Sequence, residues 1–224
     1  MKITTTFDVI IVGGGLAGLT SAIHLSTRKK RVLLIEKNEY PKHKVCGEYI
    51  SNEVLPYLNS LGINPINEGA KQITKVHIST TKSNLIKGEL PLGGFGMSRY
   101  FLDNLLVKKA RLNGVQILKD TVDSIHFKKD SFTITTKSSG VFQSKITIGA
   151  FGKRSSLDQK MKRKFIQKKS PYLAVKIHVK GVFPENLVAL HNFKGGYCGV
   201  SKVEDNAINV CYITEYRSFK KHKN

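Results

Sequence analysis

The chain has no tryptophan, only three cysteines and six prolines, and 16 acidic residues against 37 basic ones. Cys46, Cys198 and Cys211 form no C-x-x-C pair, and the seven histidines do not recur at ligand spacing beside acids or thiols. A disulfide framework or a zinc centre needs such spacing, so neither is expected and no metal is assigned. No apolar run approaches the roughly 18 residues of a membrane-spanning helix, and Met1 to Thr6 is too short and polar for a signal peptide; a cytoplasmic location is expected. Internal repeats and low-complexity linkers are also lacking.

The chain does have charge, at +21 net, and enough apolar residues, 40% of 224, to bury a core. Lysine-rich surfaces gain affinity for nucleic acids by releasing counterions from phosphates. Here the bases are dispersed, with local clusters at Arg28 to Arg31, Lys160 to Lys169 and Lys220 to Lys223, and no DNA- or RNA-binding module accompanies them. Solvated lysines are therefore expected and no specific nucleic-acid partner is assigned. The second reading of the charge is attraction to an anionic substrate, a carrier protein or a peripheral membrane surface.

The strongest signal lies in residues 7 to 36. Phe7 to Val12 is a short apolar run, a glycine turn follows, and Leu16, Leu19, Ala22 and Ile23 recur at helical spacing. Arg31 to Glu36 is a continuous apolar run ending in an acid, the pattern of a buried parallel strand. Strand, turn, helix and strand thus complete a βαβ unit in about 30 residues, which defines an α/β, Rossmann-like fold.

Downstream, Ser51 is expected to cap a helix running to Leu61, and Ser98 a helix from Arg99 to Asn113 that Gly114 ends. Strands are expected over 73–79, 84–86, 115–118, 124–128, 132–136, 141–144 and 146–149, with a hairpin across Lys137 to Gly140. From Tyr172 the β-like runs 173–179, 187–190, 197–200 and 209–214 alternate with turns, as in an antiparallel sheet outside the nucleotide domain. The expected organisation is a nucleotide-binding domain over 1–170 with an inserted segment at about 52–98, a partial β-sheet substrate domain over 171–216, and a basic tail over 217–224 on a chain that stops before a complete fold.

A diphosphate is bound by backbone N–H groups at a helix N-terminus, provided that no side chain blocks its approach. Gly13 permits the tight turn, Gly15 the close approach, and Gly18 the close packing of helix on strand. Glu36 ends the second strand eighteen residues after Gly18, where a carboxylate accepts hydrogen bonds from ribose hydroxyls and repels a 2′-phosphate.

The run Asp8-Val9-Ile10-Ile11-Val12-Gly13-Gly14-Gly15-Leu16-Ala17-Gly18-Leu19 resembles the amino-terminal fingerprint of the FAD oxidoreductase superfamily that includes glutathione reductase and p-hydroxybenzoate hydroxylase. Lys44-Val45-Cys46-Gly47-Glu48, Met97-Ser98-Arg99-Tyr100-Phe101-Leu102-Asp103 and Gly149-Ala150-Phe151-Gly152-Lys153-Arg154-Ser155 resemble later landmarks of its hydroxylase-type branch. The geranylgeranyl reductase and flavin-dependent dehydrogenase members match best, and Gly195 to Lys202 is similar to their substrate-domain segment.

The resemblance implies FAD as cofactor. Gly13, Gly15, Leu16, Ala17 and Gly18 would surround its pyrophosphate; Glu36 would hold the adenosine ribose, with Lys37 beside it; Arg99 would reach the phosphates or the nearby flavin chain; and the backbone of Val122 would lie by the adenine. Cys46 and Gly47 would lie near the isoalloxazine, with Lys44 also binding the cofactor, which makes Cys46 the candidate catalytic residue; an inert thiol is the competing reading. The branch has aspartate where this chain has Phe151, so one polar contact to phosphate is missing, and a later flavin-contacting glycine- and aspartate-containing segment is not found before Asn224.

The implied activity is two-electron transfer between flavin and a small organic substrate, lipid-like, polyketide-like or carrier-bound, with NAD(P)H as the possible donor. A reductase or dehydrogenase comes first and an aromatic monooxygenase second; a truncated, non-catalytic nucleotide-binding remnant is the reading from a different class. Flavin halogenases are set aside because their signature contains tryptophan. His24, His178 and His191 are read as packed or surface imidazoles, and Ser155-Ser156 lacks the partners of a hydrolase.

Overall fold

The computed structural model describes residues 5–153 and 155–221. Arg154 of the third landmark, residues 1–4 and the end of the basic tail lie outside the described residues. The chain divides into two compact units, Met1–Lys42 with Asp103–Lys168 and His43–Leu102 with Lys169–Asn224.

The first unit is built on β1 (Thr5–Val12), α1 (Leu16–Thr27) and β2 (Val32–Glu36). Its sheet has the order β6-β2-β1-β9-β8-β7, with β6 at Gln116–Lys119, β7 at Val122–Lys128, β8 at Ser131–Thr136 and β9 at Val141–Gly149. β1 pairs in parallel with β2 (Val9 opposite Val32) and with β9 (Val9 opposite Ile146), and β2 pairs in parallel with β6. The β7-β8-β9 meander is antiparallel. Because β1 is central and covered on both faces, Val9 to Val12 are all buried; β2 reads the same way from Val32 to Ile35. Gly18, Leu19, Ala22 and Ile23 form the buried stripe of α1. A core of Phe7, Ile10, Val12, Leu33, Ile35 and Ile134 packs among them. A short helix α4 (Ser156–Lys160) is capped by the Ser155 hydroxyl, which accepts from the Leu157 N–H at 3.1 Å.

The strands expected over 141–144 and 146–149 are one continuous β9. The polar Ser144 does not interrupt it, because its buried hydroxyl pairs with Thr147 Oγ1 at 3.0 Å.

The second unit carries a seven-stranded sheet of order β10-β13-β12-β11-β4-β5-β3. These strands are β3 (Tyr49–Ser51), β4 (Lys71–Ser79), β5 (Leu85–Gly96), β10 (Tyr172–Val179), β11 (Leu187–Phe193), β12 (Gly196–Lys202) and β13 (Ile208–Glu215). The segment before residue 98 and the strands after 171 thus share one sheet, joined by the parallel pair β11 and β4; every other pair in it is antiparallel. Ser51 caps a 3-10 turn over Asn52–Val54 rather than a long helix, and α2 is confined to Leu55–Ser60, with Pro56 in its first turn. α3 (Arg99–Leu112) starts where the Ser98 hydroxyl accepts from the Phe101 N–H, and the division between the units falls within it. The last helix is α5 (Tyr216–Lys221). Among the described residues no helix is long and apolar enough to cross a membrane.

Candidate functional site

In the first unit the glycine turn joins β1 to α1. Gly13 has φ +105°, and a Cβ there would overlap the Ala150 carbonyl; a Cβ on Gly18 would overlap the Gly13 carbonyl. These two glycines are required by the turn and by helix-to-strand packing. Gly15, the N-cap of α1, differs: its position meets nothing within 4 Å, and no side chain caps the helix. The first amides of a helix have no intrahelical partner, so the N–H groups of Gly15, Leu16 and Ala17 are available to a ligand.

Glu36 stands against this turn. Its Oε2 accepts from the Gly14 N–H at 2.7 Å, and its Oε1 accepts from the Asn38 N–H at 3.0 Å and from Asn38 Nδ2 at 2.6 Å. A carboxylate has about four acceptor positions, so these three donors leave about one for a further donor. A cleft of about 90 Å³ is lined by Gly13, Glu36, Lys37, Thr121, Val122 and Phe151 among others. Lys37 is exposed and Val122 buried. Asp120 braces the Thr121-Val122 wall, its carboxylate accepting from the N–H groups of Thr121 (2.6 Å), Ser138 (3.1 Å) and Ser139 (2.7 Å). Burial works against the charge on Asp120, but hydrogen bonds from Ser139, Thr121 and Thr136 outweigh it and hold the carboxyl at about 2. Phe151 presents a ring to the cleft, also packing on the core, so the wall is apolar where an aspartate would be polar.

Gly13, Gly15, Leu16, Ala17, Gly18, Glu36, Lys37 and Val122 therefore belong to one unit. Lys44, Cys46, Gly47 and Arg99 belong to the other.

In the second unit Cys46 and Gly47 are held from both sides. Asn209 Nδ2 donates to the Gly47 carbonyl at 2.8 Å and to that of Cys46 at 3.4 Å, while the Glu48 N–H donates to Cys46 Sγ at 3.4 Å. Glu48 is fully buried, with φ +53°. Its Oε1 accepts from Lys176 Nζ at 2.6 Å and from the Arg99 N–H at 2.9 Å, and its Oε2 lies 2.6 Å from His178 Nε2. His43 stacks on Tyr100, ring centroids 4.6 Å apart, and meets His178 edge-on. A cavity of about 340 Å³ lies on the sheet, lined mainly by apolar groups that include Gly47, Tyr49, Leu190, Tyr197, Cys211 and Ile213. Burial pushes the Cys211 and Cys198 thiols up, so both stay protonated near neutrality.

Sequence reasoning missed Asn38 and Tyr40, whose hydroxyl donates to the Gly14 carbonyl at 2.6 Å, and it missed Glu48 with its partners Lys176 and His178. A signal existed for Glu48, an acid directly after Cys46-Gly47, but its partners are more than 120 residues away.

Parallel strands β2, β1 and β9, open space at Gly15 where the first helix begins, and an acid closing the second strand are the arrangement of a dinucleotide-binding site, and these residues fit FAD. Residues 8–45 match the sequence profile of the FAD dependent oxidoreductase family. Over 157 residues the chain is 26% identical to a digeranylgeranylglycerophospholipid reductase of Methanococcus aeolicus, covering 67% of this chain and 39% of the relative. It is 32% identical over 175 residues to the FAD-dependent monooxygenase cle3 of Aspergillus versicolor, covering 71% of this chain and 35% of the relative. Among solved structures, a geranylgeranyl bacteriochlorophyll reductase-like protein of Thermoplasma acidophilum superposes with a TM-score of 0.79 at 18% identity, over 96% of this chain and 58% of that one. The flavin-dependent brominase Bmp2 superposes with a TM-score of 0.77 at 18% identity, over 97% of this chain and 58% of that one. At such identity these structures show the shared fold alone.

The FAD dependent oxidoreductase profile thus lies on residues 8–45, the glycine turn and Glu36 among them, and the longer stretch is similar to these reductases and monooxygenases. It spans less than half of the length of the curated relatives it matches.

Proposed function

We propose that the protein transfers two electrons between FAD and an apolar organic substrate, as a reductase or dehydrogenase. The observation that carries this reading is the open approach at Gly15, with unpaired helix amides before it and Glu36 beside it. FAD, when bound, supplies the redox chemistry; the chain's own residues bind and orient it. Gly13, Gly15, Leu16, Ala17 and Gly18 hold the diphosphate, Glu36 with Lys37 the ribose, and Val122 flanks the adenine. Lys44, Cys46, Gly47 and Arg99 serve the flavin end.

The cavity of the second unit receives the substrate, and its Leu190, Ile213 and tyrosine lining suits a lipid-like or polyketide-like chain, free or carrier-bound. NAD(P)H is the electron donor. The +21 charge favours peripheral contact with an anionic membrane or carrier.

The likeness to the fungal monooxygenase motivates a second reading, aromatic hydroxylation. Absorbance of the purified protein before and after denaturation, followed by anaerobic addition of NADPH, tests the first reading. Released FAD and anaerobic product formation are expected. Colourless protein that takes up no added FAD overturns it in favour of a non-catalytic remnant, and product formed only with stoichiometric oxygen consumption shifts the assignment to the monooxygenase.

A further inference from the structure

Gly14 is held on both of its peptide planes by side chains from outside the turn. Its N–H donates to Glu36 Oε2 at 2.7 Å, and its carbonyl accepts from the Tyr40 hydroxyl at 2.6 Å. Tyr40 reaches back across 26 residues to make that contact, from the loop that follows β2. The fit is close enough that a Cβ on Gly14 would overlap the Tyr40 hydroxyl, so the middle glycine of the turn is demanded by a side chain rather than by φ, which is not in the left-handed region.

A trans peptide is planar, and its N–H points opposite to its C=O. The hydroxyl that fixes the Gly14 carbonyl therefore also fixes the direction of the Gly15 N–H, aiming it away from Tyr40. Within the glycine turn, Gly15 is the glycine at which an added Cβ meets nothing within 4 Å. From this geometry we infer that Tyr40 is a positioning residue for the cofactor's diphosphate, locking the Gly14 carbonyl so that the Gly15 N–H is preset toward the phosphate oxygens. The inference rests on the FAD reading proposed above and assigns a role within that site to a residue outside the glycine motif.

Tyr40 is suited to this task. Burial, with the charges of Glu36 and Asp103, pushes its phenol well above the ordinary value, so it remains a hydrogen-bond donor at every pH at which the protein is handled. Preorganisation of this kind contributes little to the fold, because water replaces the lost donor in a half-buried site. It contributes to binding, because an unlocked peptide must be ordered when the ligand arrives.

The test compares two ligands on the wild-type protein and on Tyr40→Phe by titration calorimetry: ADP-ribose, which has the pyrophosphate, and adenosine, which lacks it. The expected result is about tenfold weaker ADP-ribose binding to the variant, with adenosine affinity and the melting temperature of the ligand-free protein unchanged. Equal loss for both ligands would make Tyr40 a general structural residue, and no loss for either would make its contact incidental; each overturns the inference while leaving the FAD reading intact. Wild-type protein that binds neither ADP-ribose nor FAD overturns both. If Tyr40→Phe is poorly folded, Tyr40→Leu supplies the second variant. It removes the same hydroxyl without touching Glu36 and should show the same selective loss against ADP-ribose, and a loss shared by adenosine refutes the role.

Discussion

Glu48 Oε1 lies 2.6 Å from Lys176 Nζ, with the carboxylate side chain fully buried and that of the lysine 6% exposed. Such a pair adds little net stability relative to an apolar pair, because both charges are desolvated, but removing one partner leaves the other buried and uncompensated. Glu48→Ala is expected to destabilise the protein by about 3–5 kcal/mol, read as a lower urea midpoint. Combining it with Lys176→Met should recover a large part of that loss. A double variant as unstable as Glu48→Ala alone would show that the pair is not the cause, leaving the Arg99 N–H and His178 contacts as the source.

The same residue marks where the sequence stopped being informative. Phe7 to Glu36 was legible because its determinants are local: an apolar strand, glycines at fixed spacing, a helical stripe and an acid at a strand end. The two hydrogen bonds of Glu48 with Lys176 and His178 span 128 and 130 residues, and no local pattern encodes them. The sequence pattern predicts a strand only over 84–86, because Gly88, Pro91, Gly93 and Gly94 look like turn punctuation, whereas β5 extends over Leu85–Gly96. Two of its glycines serve the sheet: a Cβ on Gly94 would press on the Tyr49 ring, and one on Gly96 would overlap the Lys202 carbonyl. Only the folded sheet shows those neighbours. Tyr40 was invisible for a related reason, since its partner is a backbone carbonyl and sequence does not show which carbonyl a distant hydroxyl meets.

The three motif glycines separate into two kinds. At Gly18 a methyl group would overlap the Gly13 carbonyl, so Gly18→Ala should lower the melting temperature and weaken FAD binding together. At Gly15 the same change meets open space, and loss of a glycine N-cap costs at most about 1 kcal/mol. Gly15→Ala should therefore melt close to the wild type while binding FAD at least tenfold more weakly, on the order of one lost charge-assisted hydrogen bond. Melting curves with and without FAD distinguish the two, and undiminished FAD affinity in Gly15→Ala would remove the glycine turn as the diphosphate site.

The cavity on the sheet of the second unit is open to a steric test at Gly199. A Cβ added there stays at ordinary contact distance, 3.6 Å from Leu190 Cδ2 and 3.9 Å from the Tyr197 ring, so the backbone accepts it without strain. Gly199→Leu should intrude on the cavity and weaken binding of a long-chain apolar ligand, while FAD binding stays within twofold of wild type. Retention of a fluorescent fatty alcohol at unchanged affinity would show that apolar ligands bind elsewhere.

Asp120 gives the acid-side behaviour a definite window. Its folded carboxyl is held at about 2, below its ordinary value of 3.8, so the unfolded chain takes up a proton at higher pH than the folded one. The stabilisation is fully present above pH of about 4 and is lost as pH falls through the folded value near 2. Asp120→Asn removes it, since an amide oxygen accepts more weakly from the Ser138, Ser139 and Thr121 N–H groups and carries no charge. The variant should melt a few degrees lower than wild type at pH 7, with the difference shrinking toward zero between pH 4 and 2 in urea titrations. A difference that persists unchanged across this range would assign the loss to packing at the Thr121-Val122 wall rather than to the charge.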